Sequence, residues 1–168
     1  MKEERTIESK ELYKGRVVQV RIDTVSLPNG RTKMREIIVH PGAVAIVPLI
    51  NKRVLLVEQY RKAIERRTLE IPAGTLEEGE SPEECAKREL IEETGFNASQ
   101  WDKLTSYYPS PGYSSEIIHI FKARGLEKVS DAEAELPIHY MDLEDVQTKI
   151  RTGEIKDSKT IIGVLIAL

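Results

Sequence analysis

The stretch from Gly74 to Phe96 constrains the fold more than any other part of this chain. Ser81 is followed by Pro82, and Glu84 stands three residues beyond Ser81. A serine hydroxyl there can accept from the amide of the third helical residue, whose glutamate reaches back to the serine amide. Proline at the first helical position sacrifices no hydrogen bond. Gly95 offers the left-handed residue that closes a last turn. This punctuation predicts a helix over Pro82 to Thr94, with start and stop both encoded locally. Ahead of it runs Gly74-Thr75-Leu76-Glu77-Glu78-Gly79-Glu80, a loop bounded by glycines and rich in carboxylates.

The remaining segments supply mostly strands. Residues 5 to 40 read as strands, with Pro28-Asn29-Gly30 as the turn of a hairpin and Arg35 to Val39 as its returning arm. His40-Pro41-Gly42 interrupts that pattern and marks a boundary. Ala43 to Leu49 and Val54 to Glu58 are nearly continuous apolar runs, as expected of strands covered on both faces. A short strand over Thr68 to Ile71 leads into Pro72-Ala73-Gly74. Further strands are expected near Lys103 to Tyr108, Ile117 to Ala123 and Ile138 to Met141, and helices over Leu143 to Arg151 and Ser158 to Leu168. Ser130 to Glu135 reads as an acidic loop.

On the central helix, Glu89, Glu92 and Glu93 stand at i, i+3 and i+4 and project over an arc of roughly 100°. Ala86 and Leu90 lie beside the arc and can pack on a sheet. A solvated acidic face is the plain reading of such a run. Yet Glu89 and Glu93 repel each other at this spacing, while favourable pairs, Glu83 with Lys87 and Glu84 with Arg88, are available on the same helix. Clustered carboxylates suit a hard, oxygen-seeking cation such as Mg2+.

Gly74, five residues, Glu80, seven residues, then Arg88-Glu89-Leu90-Ile91-Glu92-Glu93-Thr94-Gly95-Phe96 resembles a complete Nudix box, with every specified position filled. The resemblance implies an α/β (α+β) fold. Residues 42–168 would form a Nudix αβα sandwich with a mixed central sheet. Residues 1–41 would form a small N-terminal antiparallel sheet that exchanges between two subunits. It implies that Glu89 and Glu93 hold catalytic divalent ions, that Glu92 assists, and that the Ala73 carbonyl is a further ligand. Arg88 and Glu80 resemble the pair that braces the loop against the helix; a surface pair of Arg88 with Glu84 is the alternative. The chemistry such ions supply is neutralisation of pyrophosphate charge and a lowered pKa for the attacking water.

Beyond the box, the chain resembles the ADP-ribose pyrophosphatase branch. Arg35 to Val44 looks like the segment entering the first central strand, Glu58-Gln59-Tyr60-Arg61 matches an EQxR element, and Pro111 falls sixteen residues past Gly95, with Glu116 following. The implied reaction is Mg2+-dependent cleavage of ADP-ribose to AMP and ribose 5-phosphate, with Mn2+ as a substitute. Arg61 would contact the phosphates, Arg35 would help bind substrate, and Glu116 would sit near the terminal ribose; an exposed strand-end side chain is the plain alternative for each. Glu133 is expected to activate water, with Glu135 second. Hydrolysis of another nucleotide sugar such as GDP-mannose, or binding of ADP-ribose without cleavage, are the rival readings.

Net charge is -3, which disfavours nucleic-acid and anionic-membrane partners. The start, MKEERTIESK, has no apolar core of a secretory signal, and no apolar run approaches a membrane span. A cytoplasmic homodimer is the expectation. The single cysteine, Cys85, is expected to be buried and inert.

Overall fold

The computed structural model describes residues 3–129 and 136–167. Two compact units emerge: residues 1–42 with 108–117, and residues 43–107 with 118–168.

In the first unit, β1 (Arg5–Lys14), β2 (Gln19–Ser26) and β3 (Thr32–Val39) form an antiparallel sheet in that order. Its β2–β3 turn lies at the Pro28-Asn29-Gly30 signal, where Gly30 has φ 79°. The 108–117 loop is tied to β3: Ile38 N donates to the Tyr113 carbonyl (2.8 Å) and Ser115 N donates to that of Ile38 (2.9 Å). Every residue of β1 is exposed.

The second unit is built on a mixed sheet of seven strands. β4 (Ala43–Ile50) and β5 (Arg53–Arg61) form a hairpin. β6 (Arg66–Glu70) and β7 (Ala73–Thr75) follow, then α1 (Pro82–Thr94), β8 (Phe96–Tyr107), β9 (Ile118–Lys128), β10 (Ile138–Asp142), α2 (Leu143–Arg151) and α3 (Ser158–Ile166). The main order is β10-β5-β4-β9-β8, with β4 and β9 parallel and the other pairs antiparallel.

β4 alternates its apolar side chains between two cores, as a strand covered on both faces must. Val44 and Ile46 pack with Cys85, Ala86 and Leu90 of α1, whereas Ala45 and Val47 pack with Val146, Ile155 and Val164 around α2 and α3. The result is a three-layer αβα sandwich, the architecture that the box resemblance implied.

One feature of the sheet positions the site. β4 and β5 pair only at their hairpin, Leu49 with Val54 and Ile50 with Arg53. Beyond it they splay, and the chain from β6 to β7 fills the gap, with β6 on β5 and β7 on β4. Ile46 N donates to the Pro72 carbonyl (2.8 Å), stitching the middle of this wedge to the central strand.

Sequence patterning ran short at the strand ends. β8 begins at Phe96, directly after the helix cap, because its first half pairs with a β9 that reaches Lys128. Those added residues mix polar and apolar side chains at both alternating sets of positions, Trp101 with Asn97 and Ser99, and Phe96 and Ala98 with Gln100, and so carry little periodic signal. Ala73–Thr75, read from sequence as the start of a loop, is a strand held by main-chain pairing to β4.

Candidate active site

α1 forms as its sequence dictates. Ser81 and Glu84 make both bonds of the capping box, with Ser81 N donating to the Glu84 carboxylate (3.0 Å), and Gly95 closes the helix at φ 73°. Burial of Cys85, Ala86 and Leu90 fixes the rotation of the helix. That rotation leaves Glu93 buried, Glu89 half-buried and Glu92 exposed.

Glu93 is 8% exposed, and its Oε2 accepts from the Ala73 amide at 3.1 Å. This bond joins the end of α1 to the wedge. Burial drives the Glu93 carboxyl up to about 7, against the Ala73 amide that lowers it, and the nearby Glu89 charge adds to the rise. Burial also raises Glu89, opposed by Arg88, whose Nη1 donates to it at 2.6 Å.

Gly74 is required by close approach. A Cβ there would overlap the Glu89 carboxylate. The first glycine of the box therefore makes room for a carboxylate carried by the helix.

Arg88 organises the acidic loop. Its Nε and Nη2 donate to the two Glu80 oxygens, each at 2.9 Å, and Nη2 also reaches the Thr75 carbonyl at 3.3 Å. This fork holds Glu80 at about 2, while Arg88 itself is raised by its carboxylate partners. The alternative pair with Glu84 does not form; Glu84 is committed to Ser81, and Arg88 Nη1 takes Glu92 at 3.1 Å. Lys87 and Glu83 pair as expected (2.7 Å). Burial pushes the Cys85 thiol up to about 12, so it is no nucleophile near neutral pH.

Arg61 donates from Nε to Glu70 Oε1 (2.8 Å) and from Nη2 to Glu70 Oε2 (2.5 Å). Its Nη1 has no protein partner among the described residues. Glu70 and Lys159, which bonds the same carboxylate, escaped the sequence reading. Their signals were present: a glutamate inside an otherwise apolar Leu-Glu-Ile strand end, and a lysine in the first turn of a helix, where cations are disfavoured.

Ala73, Glu80, Arg88, Glu89, Glu92, Glu93 and Arg61 thus belong to the sandwich. Arg35, Pro111 and Glu116 belong to the other unit. There Arg35 forks onto Glu4, with Nε at 3.0 Å, and Glu116 N donates to Ser114 Oγ at 3.1 Å. Glu133 and Glu135 lie outside the described residues.

Among the described residues no three acidic, histidine or cysteine groups converge as a ready-made metal cage. Mg2+ does not call for one: it keeps several waters and is held through one or two carboxylates plus substrate phosphates. Glu93, buried without a cation of its own in bonding contact, and Glu89 beside it fit that requirement.

Fold and site together define a class: an αβα domain whose box helix and glycine-bounded loop present carboxylates that the protein leaves under-neutralised, as a cation-assisted hydrolase needs. Residues 39–161 match the NUDIX domain model, and residues 4–38 match the nucleoside diphosphate sugar hydrolase N-terminal domain. The chain belongs to the Nudix family, whose hydrolases generally need a divalent cation. It is 45% identical to the methanol dehydrogenase activator of Bacillus methanolicus, over 96% of this chain and 91% of that one. It is 39% identical to the ADP-ribose pyrophosphatase of Bacillus subtilis (strain 168), with the same coverage, and 38% identical to that of Mycobacterium tuberculosis, over 95% and 81%. In fold it is similar to a crystal structure of an ADP compounds hydrolase, with a TM-score of 0.87 at 23% identity, covering 99% of this chain and 93% of that one.

Proposed function

We propose that this Nudix hydrolase cleaves the pyrophosphate bond of ADP-ribose, giving AMP and ribose 5-phosphate, with Mg2+ as cofactor and Mn2+ as a working substitute. The observation that carries cleavage over mere binding is the intact set Glu80, Arg88, Glu89, Glu92 and Glu93, ending in a buried carboxylate with no bonded cation among the described residues. ADP-ribose as substrate is favoured by the two pyrophosphatases at 38% and 39% identity over nearly the whole chain.

In this reading Glu89, Glu93 and the Ala73 carbonyl would hold the cation, Glu92 would assist, and Arg88 with Glu80 keeps the loop in register. The bound cation supplies charge neutralisation and water activation. Arg61 and Arg35 offset phosphate charge, and Pro111 and Glu116 shape the ribose end. Glu133 takes the proton of the attacking water. The water oxygen joins one phosphorus, and the bridging P–O bond to the other phosphate breaks. Glu133→Gln is expected to impair turnover more than Glu135→Gln; the reverse order moves the base to Glu135.

The domains read as 1–41 for a dimer-forming sheet and 42–168 for the hydrolase. Dimerisation is favoured by the wholly exposed β1 and by Ile7, Leu12, Tyr13 and Met34 exposed on the same sheet. Sedimentation of a monomer at micromolar concentration would remove it. No described helix is long and apolar enough to cross a membrane, which accords with the cytoplasmic location proposed.

The deciding experiment is product analysis with ADP-ribose and Mg2+, with and without chelator. Chelator-sensitive release of AMP and ribose 5-phosphate is expected. Tight binding without release would favour a sensor. Neither binding nor release would favour another nucleotide sugar, a reading supported by a GDP-mannose pyrophosphatase 33% identical over 72% of this chain. The 45% identical relative favours a second role, activation of a methanol dehydrogenase. Adding this protein with Mg2+ to such a dehydrogenase tests it, and an unchanged rate would end it.

A further inference from the structure

Lys159 sits in an expensive place. It is the second residue of α3, at the positive end of the helix, and only 8% exposed. Burying a long lysine costs side-chain entropy and desolvation. The helix start does not need it: Asp157 already accepts from Thr160 N (3.0 Å) and from Thr160 Oγ1 (2.6 Å).

What Lys159 does is complete the coordination of Glu70. That carboxylate, 2% exposed, receives Arg61 Nε and Nη2, Thr68 Oγ1 (2.5 Å) and Lys159 Nζ, which also donates to Asp157 (2.9 Å). Four donors exhaust the acceptor positions of a carboxylate and leave it one orientation. Arg61 forks onto it in a plane that Glu70 therefore dictates. The Arg61 side chain is still 42% exposed, with Nη1 unpartnered among the described residues, so one edge of the guanidinium is fixed and the other is free to meet an anion. The α3 turn also holds the wedge itself, since Ile71 N donates to Thr160 Oγ1 at 2.9 Å.

We propose that Lys159, acting through Glu70, is a positioning residue that fixes the Arg61 guanidinium for a substrate phosphate. Stability alone is a poor reason for the cluster, because well-packed apolar side chains commonly serve as well as a buried ion pair. Orientation of a planar cation is something apolar residues cannot supply.

The proposal rests on the reading that Arg61 contacts phosphate. Its test is a double-mutant cycle on the full chain with ADP-ribose and Mg2+, using Lys159→Gln and Arg61→Ala. Lys159→Gln is expected to raise KM about tenfold while kcat stays within about threefold and the Mg2+ activation constant within about twofold, the signature of lost ground-state and transition-state binding alike. Lys159→Arg, which keeps the charge, is expected to recover most of the KM. In the Arg61→Ala background Lys159→Gln is expected to add nothing further. A merely structural lysine would lower the melting temperature and the active fraction and leave KM alone. An unchanged KM in folded Lys159→Gln, or losses that multiply with those of Arg61→Ala, would overturn the proposal. If Lys159→Gln does not fold, Glu70→Gln takes its place in the cycle with the same two outcomes. An Arg61→Ala variant with unchanged KM would instead remove the phosphate reading itself.

Discussion

Glu70 and Glu93 are both buried glutamates attached to the same wedge of chain between β4 and β5, and their surroundings treat them in opposite ways. Burial pushes both upward. At Glu70, Arg61 and Lys159 overcome the penalty and hold the carboxyl at about 2. At Glu93 one backbone amide is the only bonded donor among the described residues, Lys159 and Arg61 act at longer range, and the carboxyl stays near 7. The protein neutralises Glu70, which we propose fixes the Arg61 plane, and leaves short Glu93, the carboxylate proposed to receive a cation from outside. Function sits where the local electrostatics are incomplete.

The contrast breaks most visibly by replacing each acid with its amide. Glu93→Gln is expected to cut turnover by at least ~100-fold, the scale on which even an outer partner of a metal ligand is felt. Its metal-free fold should melt no lower than wild type at pH 8, because a buried charge has been removed. Glu70→Gln should do the reverse in stability, costing about 3 kcal/mol by stranding Lys159 and Arg61. Melting in EDTA beside steady-state kinetics reads both. A destabilised Glu93→Gln with turnover intact would invert the assignment.

Gly74→Ala comes next. The new Cβ meets the Glu89 carboxylate, not backbone, so the fold is expected to survive while that carboxylate, the proposed cation ligand, moves. A roughly 10- to 100-fold rise in the Mg2+ activation constant is expected, with stability changed by less than about 1 kcal/mol. Normal Mg2+ activation would mean that Glu89 binds the cation from another rotamer.

Acidity sharpens the pair further. Glu93 has a raised pKa, so its contribution favours the metal-free fold below about 4.5 and is lost as pH rises through about 7. Mg2+ must displace that proton, so its affinity should fall about tenfold per pH unit below 7. The thermal shift on adding Mg2+ is therefore expected to be larger at pH 8 than at pH 6. Glu70 has a lowered pKa, so its contribution is present above about 4.5 and fades as pH falls towards 2. Calorimetry across pH separates the two, and a Mg2+ shift independent of pH between 6 and 8 would refute the Glu93 half.

Much of this was legible in the residues, for reasons that differ by element. α1 was readable to its ends because capping is local chemistry: Ser81, Pro82, Glu84 and Gly95 act on neighbours only. The αβα architecture followed from the box, and β4 from its unbroken apolar run. β7 and the first half of β8 were not legible, since both are held by pairing with strands distant in sequence. The loop-bracing fork of Arg88 on Glu80 spans eight residues and was within reach of a pattern. The Glu70–Lys159 bond spans eighty-nine and was not. No periodicity joins such positions; only the splaying of β4 from β5 brings them together.

The smallest effect tests whether the helix scaffold and its chemistry are separable. Ser81→Ala removes the hydroxyl that accepts from Glu84 N and loosens Glu84's return bond. The loss should be about 1 kcal/mol, lowering the melting temperature by about 2–4 °C. Glu89 lies eight residues along, roughly 12 Å of helix. The end of the helix near Glu93 is pinned independently by Leu90 in the core and by the Ala73 amide. Turnover should therefore stay within about twofold at 25 °C, where the population remains folded. Glu80, however, directly precedes Ser81 and is the anchor of Arg88. A tenfold fall in turnover with the small melting shift would show that fraying at the cap travels through Glu80 to Arg88 and Glu89. The under-neutralised carboxylates would then depend on the first turn of their helix as well as on the wedge.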